Sequence, residues 1–162
     1  MANTPDGARA SPFSSLLSPL TNTGTVLAFD FGEKRIGVAV GDLGVRIAHP
    51  LTTIAAEDNS TRFAEIAKLV AEWTPVRLVV GLPMHADGTE HEISRLARRF
   101  AQRLEGRFGV PATLVDERLT SRAAETRLRE GGARHDEIVR TLDAAAAREI
   151  LDAYFSSASR ST

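Results

Sequence analysis

Three acidic residues lie in surroundings that acids usually avoid. Asp30 ends the apolar run 26–29, and Gly32 follows it two residues later. Glu117 comes just after a second apolar stretch, and Asp143 is followed by four alanines. A carboxylate with apolar neighbours is costly unless it is paired, hydrogen-bonded or bound to a metal ion. The three acids are therefore candidates for chemistry.

Carboxylates from a first strand, a later strand end and a closing helix can converge on hard cations. Mg²⁺ and Mn²⁺ prefer oxygen ligands. Two such ions roughly 4 Å apart activate water and stabilise the leaving oxygen in phosphodiester hydrolysis. We therefore predict Asp30, Glu117 and Asp143 as catalytic and metal-binding residues, with two Mg²⁺ or Mn²⁺ ions as the cofactor.

Each acid also has a simpler interpretation. Asp30 caps a hairpin turn, Glu117 pairs with Arg118 or a neighbour, and Asp143 is an acid in the first turn of the predicted last helix, where the helix dipole favours it. Asp116 adds an ambiguity, because adjacent residues of a strand point to opposite faces. Only one of Asp116 and Glu117 then faces the site, and spacing does not say which.

The hydrophobic pattern predicts the elements that position these acids. Three strands joined by short turns (25–31, 36–40 and 45–54, the last an edge strand because of Pro50) precede strands that alternate with helices. The later elements are a helix from Ser60 or Thr61 to Trp73, a strand at 76–81, a helix at 90–107, a strand at 112–115, a helix from Thr120 or Ser121 to Glu130, and a helix at 140–155. This order predicts an α/β fold with a five-stranded mixed sheet, three antiparallel strands then parallel strands, and helices on both faces. On the last helix, Asp143, Ala146, Ala147, Ile150 and Tyr154 form the predicted packing stripe.

The chain of 162 residues is predicted to form one domain. Residues 1–24 are rich in Ser, Thr, Pro and Gly and are predicted to be a flexible extension. The domain then spans 25–157, and 158–162 form a disordered tail.

Composition excludes several classes of protein. The chain has no cysteine, which excludes disulfides, thiolate catalysis and cysteine-ligated metals. No apolar run approaches the roughly 18 residues that span a membrane, and no signal peptide is recognisable. These features predict a cytoplasmic protein without a membrane partner. With a net charge of −1, any nucleic-acid partner must be bound by a local basic patch.

Basic residues supply candidates for that patch. Lys34 and Arg35 lie in the turn beside Asp30, and together with Arg118 they are predicted to bind substrate. The second helix carries Arg95, Arg98, Arg99, Arg103 and Arg107. This ridge either contacts phosphates or is simply a solvated helix face. The four histidines form no recognisable zinc pattern.

Four motifs in order resemble the YqgF/RuvX family. They are Ala28–Ala39, Val80–Pro83 with Asp87-Gly88-Thr89, Asp116–Thr120, and Asp143-Ala144-x-Ala146-Ala147. The resemblance covers about residues 25–155. It implies an RNase H-like fold and a metal-dependent nuclease in which Asp30, Glu117 and Asp143 bind the metal. Family members are described as Holliday junction resolvases and as nucleases that mature the 5′ end of precursor small-subunit rRNA, which implies precursor rRNA, a ribosomal particle or branched DNA as partner.

Three other functions compete with the rRNA nuclease. A resolvase that cuts two strands symmetrically is expected to be a two-fold homodimer. A phosphotransferase of the actin and sugar-kinase type uses a similar Asp-x-Gly hairpin but needs a second domain, for which this chain has no room. A non-catalytic ribosome-assembly or transcription factor on the same scaffold is disfavoured by the acidic triad.

Overall fold

The computed structural model describes residues 23–120 and 135–161. The strands are β1 (Thr25–Asp30), β2 (Arg35–Asp42), β3 (Ala48–Ala55), β4 (Arg77–Leu82) and β5 (Ala112–Asp116); the helices are α1 (Asn59–Trp73), α2 (Glu92–Phe108) and α3 (His135–Ser161), with a 3₁₀ turn at Glu117–Leu119. The predicted fold class is confirmed. The helix predicted at 121–130 and the extension up to residue 22 lie outside the described residues.

The five strands form one mixed sheet in the order β3-β2-β1-β4-β5. β2 is antiparallel to both β1 and β3, whereas β4 is parallel to β1 and β5. β3 lies at an edge, as Pro50 predicted, and its register against β2 shifts between Val38 and Ala39. The carboxyl ends of the parallel strands β1, β4 and β5 therefore lie side by side at one end of the sheet, which is called the sheet edge below.

Each face of the sheet is covered by different helices, because successive strand residues point to opposite sides. Leu27 and Phe29 of β1 pack in the core beneath α1 and α2. Val26 and Ala28 pack in a second core with Ala147, Ile150, Leu151 and Phe155 of α3. The same alternation aims Asp30 at the α3 face.

No helix of the described residues is long and apolar enough to cross a bilayer.

The three described helices all begin at residues other than those predicted. The last, α3, already includes His135 instead of beginning near 140, so Asp143 lies beyond its first turn. α1 begins at Asn59, because Asp58 is its N-cap and accepts a 2.8 Å hydrogen bond from the Thr61 amide. α2 begins at Glu92 rather than at 90, because its N-cap is His91, whose amide donates to Ser94 Oγ at 3.0 Å. In both cases a cap formed by a side-chain hydrogen bond fixes the boundary more closely than hydrophobic spacing does.

The packing stripe of α3 differs from the predicted one by about one residue. Its buried residues are Ala144, Ala147, Ile150, Leu151 and Phe155. Asp143 and Tyr154 lie at the border and are half-buried. The helix is turned so that its alanines and large apolar side chains meet the sheet. Asp143 is left where its carboxylate reaches the sheet edge instead of the core.

Candidate functional site

The last residue of β1 lies beside the point where α3 crosses the sheet. Asp30 pairs with Gly37 of β2. A Cβ atom on Gly37 would overlap the Asp143 carbonyl group and would lie 3.0 Å from the Ala144 amide nitrogen. Glycine is therefore needed for α3 to approach so closely. This approach brings the Asp143 backbone over the strand residue that pairs with Asp30.

Glu117 reaches the same face from the end of β5. Gly81 of β4 pairs with Val115, and the preceding Val80 pairs with Phe29 of β1. A Cβ atom on Gly81 would lie 2.5 Å from Glu117 Oε2. The Glu117 carboxylate therefore occupies the space that a side chain at position 81 would fill. It lies one strand away from Asp30.

Asp116 and Glu117 have different surroundings. The Asp116 carboxylate is held by Arg118, whose Nε lies 3.1 and 3.0 Å from the two carboxylate oxygens. This contact holds the pKa of Asp116 below its ordinary value. Arg118 also donates a long hydrogen bond of 3.4 Å to the Ala86 carbonyl in the loop after β4. Glu117 is therefore the acid that shares an edge and a face with Asp30 and Asp143.

The three predicted substrate-binding cations differ in their contacts. Arg35 Nε donates to Asp143 Oδ2 at 2.8 Å, so its charge is directed at one of the three acids. Arg118 is engaged by Asp116. Lys34 is exposed in the turn between β1 and β2. Within the part of the chain that the structure describes, Lys34 alone of the three has no ion pair.

The donor chemistry suits a hard cation. Asp30, Glu117 and Asp143 are all half-buried, offer only carboxylate oxygens, and come from three different elements. The space above Gly81 admits the Glu117 carboxylate. Within residues 23–120 and 135–161, however, no group of three acids or histidines is placed so that it could hold a metal ion as it stands.

A buried arginine fixes the loop that follows Asp30. Arg62 of α1 is only 3% exposed. Its Nε donates to the Ala56 carbonyl at 2.6 Å and its terminal nitrogen donates to the Gly32 carbonyl. Burial lowers the pKa of Arg62, and the carboxylates of Glu57 and Glu33 act in the opposite direction. These bonds hold the Gly32 backbone, and with it the turn that carries Lys34, against α1.

Sequence patterns alone did not single out Gly37, Gly81 or Arg62. The two glycines interrupt otherwise apolar strands, which is the one signal that a neighbouring group approaches closely there. Arg62 carries no such signal, because its two acceptors lie in separate loops.

His85 and His91 lie on the loop after β4, with ring centroids 4.7 Å apart.

Two sequence comparisons bear on this site. The family RuvX, described as "Holliday junction resolvase", matches residues 24–157. A protein of Dechloromonas aromatica named "Putative pre-16S rRNA nuclease" is 61% identical over 134 residues, which are 83% of this chain and 92% of that protein. A protein of the same name from Nitrosomonas europaea is 56% identical over 134 residues, covering 83% of this chain and 90% of its own length.

Solved structures with a similar fold include RuvC of Thermus thermophilus. It has a TM-score of 0.51 at 17% identity, over 84% of this chain and 96% of that one. The same protein in complex with a Holliday junction substrate has a TM-score of 0.54 at 13% identity, over 86% and 98%. At this identity the likeness concerns the fold alone, which is RNase H-like.

Proposed function

This chain belongs to the RuvX family of nucleases, and we propose that it is a metal-dependent endonuclease that matures the 5′ end of precursor 16S rRNA. The observation that carries the proposal is the position of three carboxylates. They lie at the same end of the sheet, where the parallel strands finish, and on the same face. They come from the end of β1, the residue after β5 and helix α3. The name of the close relatives supports rRNA as the substrate.

Asp30, Glu117 and Asp143 would hold Mg²⁺ or Mn²⁺, in a two-ion arrangement. When bound, such ions activate a water molecule and stabilise the leaving oxygen of the phosphodiester. Arg35 orients the Asp143 carboxylate at the edge. Lys34 is placed to contact a phosphate beside the acids, because it is exposed in the turn directly after Asp30. Arg118 anchors the loop after β4 through Asp116 and Ala86, so that its role toward substrate is indirect.

The test is cleavage of a 5′-extended 16S rRNA precursor by the full chain, with a four-way DNA junction in parallel. Each reaction is run in Mg²⁺, in Mn²⁺ and in excess chelator. We expect metal-dependent cutting of the precursor at its 5′ side and no cutting after chelation. Cutting of the junction alone by a dimeric protein would assign the chain to DNA recombination instead. If neither substrate is cut in any metal, the proposal is wrong and a role as a non-catalytic scaffold is favoured.

Gly81→Ala is expected to lower the cleavage rate about 10- to 100-fold, comparable to the loss of a group that orients a metal ligand. The new methyl group would meet Glu117 Oε2 and the Ile150 Cδ1 atom. Both atoms are ends of side chains. Glu117 can move aside, whereas Ile150 is buried in the core, so we also expect a loss of stability of about 1–3 kcal/mol. Cleavage rates and thermal melts measure the two effects separately. An active protein with unchanged rate would show that the position of Glu117 is unimportant.

A further inference from the structure

A small cavity opens on the opposite side of the loop that follows Asp30. Its volume is about 240 Å³, and its walls include Phe31, Glu33, Glu57, Arg62, Arg99 and Arg103. The half-buried Phe31 ring forms one wall and is fixed by the Phe100 ring, whose centroid lies 5.0 Å away. The Arg62 guanidinium lies 5.4 Å from the Phe31 centroid. The wall formed by the loop that follows Asp30 is therefore aromatic and is held by the contact with Phe100.

The charges around this cavity are distributed unevenly. Glu33 and Glu57 line the cavity and, with Asp58, are the carboxylates that act on the buried Arg62. Arg99 and Arg103 enter from α2 and are exposed. Elsewhere on this helix Arg95 pairs with Glu92, and Arg98 pairs with Glu90. Among the described residues, neither Arg99 nor Arg103 has an ion pair or a hydrogen-bonded acid.

The positive charges of Arg99 and Arg103 lie on the α2 side of the sheet, and the three acids lie on its α3 side. Asp30 and Phe31 are consecutive residues, so their Cα atoms are about 3.8 Å apart while their side chains point to opposite faces. Lys34, which is exposed, belongs to the same turn after β1 as Phe31. Two arginines one helical turn apart form a surface suited to phosphate oxygens, and an aromatic ring suits a sugar or an unpaired base.

We propose that this cavity binds the single-stranded segment next to the cleaved bond, with Arg99 and Arg103 on its phosphates and one nucleotide against Phe31. The proposal rests on the nuclease function proposed above. It divides four of the five arginines of α2 into a strand-binding pair, Arg99 and Arg103, and a pair held by acids, Arg95 and Arg98. The fifth, Arg107, lies over the Phe63 ring. A blunt duplex, which has no single-stranded segment, would not occupy the cavity.

The test measures binding without cleavage, in the Asp30→Asn background. Fluorescence anisotropy is recorded for a labelled two-strand RNA duplex with a single-stranded tail and for the same duplex with two blunt ends. Arg99→Gln with Arg103→Gln is compared with the matched control Arg95→Gln with Arg98→Gln. Both double variants remove two charges from the same helix, and thermal melts establish that each is folded.

We expect the Arg99/Arg103 variant to bind the tailed RNA about 10-fold or more weakly, and the slope of log affinity against log salt to fall by roughly 1 to 1.5. The control is expected to change affinity less than about 3-fold, since its arginines already have acidic partners. If both double variants lowered the affinity for the tailed RNA equally, the loss of positive charge from the helix would explain the result, and the proposal would be overturned. So would equal weakening for tailed and blunt RNA, or no weakening at all. A wild-type protein that cuts no substrate overturns the nuclease function separately, because this binding assay does not depend on cleavage.

Discussion

Asp30→Asn protein is expected to lose cleavage activity by about 10³-fold or more, at the upper end of what the loss of one electrostatic group costs an enzyme. Asparagine has nearly the same shape but no charge, so its amide oxygen is a neutral and weaker ligand for a hard cation than the carboxylate that it replaces. Asp30 is also the acid at the centre of the sheet, since β1 lies between β2 and β4. Single-turnover cleavage of the precursor at saturating Mg²⁺ measures the effect.

The matched control is Asp116→Asn, which removes an acid from the same edge. Asp116 is bound by Arg118 and precedes the acid that faces α3. We expect its cleavage rate to stay within about 10-fold of wild type, because the altered group orients a loop and binds no ion. If both variants were equally inactive, the assignment of Glu117 rather than Asp116 to the site would be contradicted. Thermal melts of both proteins exclude unfolding as the cause.

Gly37→Ala is expected to destabilise the protein by about 3 kcal/mol or more, at or beyond the upper end of the usual cost of overpacking. The added methyl group would overlap the Asp143 carbonyl, which is backbone and cannot rotate away as the end of a side chain can. The helix would have to lift from β2, which exposes the core that contains Ala147 and Leu151. Urea denaturation followed by circular dichroism gives the change in the free energy of unfolding.

Gly106→Ala serves as the control for this substitution. Gly106 lies within α2, and nothing lies within 4 Å of a Cβ atom built there. Alanine at an exposed helix position is favoured over glycine, so we expect a gain of roughly 0.5–1 kcal/mol. A lower free energy of unfolding for the variant at position 37 and a higher one for the variant at position 106 would show that glycine is needed at position 37 for the close approach of α3. A Gly37→Ala protein as stable as wild type would mean that α3 does not cross β2 so closely.

Several features of the fold could be predicted from local pattern. The apolar runs of β1 and β4 and the early turns predicted a sheet with the observed strands. A buried strand can be recognised from its own run of apolar residues. Helix boundaries were less accurate, since the Asp58 cap and the His91 cap depend on hydrogen bonds to a few backbone atoms. The predicted packing face of α3 differs from the observed one by about one residue. Two neighbouring stripes of this helix both contain alanines at helical spacing, so the pattern does not distinguish them.

By itself the sequence determined the order of the elements and which acids stand in unusual surroundings. Only the tertiary structure decided which of them share a face. Glu117 rather than Asp116 lies there because β5 ends at Asp116 and Gly81 leaves room for the longer side chain. The pairing of Arg35 with Asp143 joins residues 108 positions apart. Such contacts depend on how a strand and a helix cross in space, which no local pattern of residues encodes.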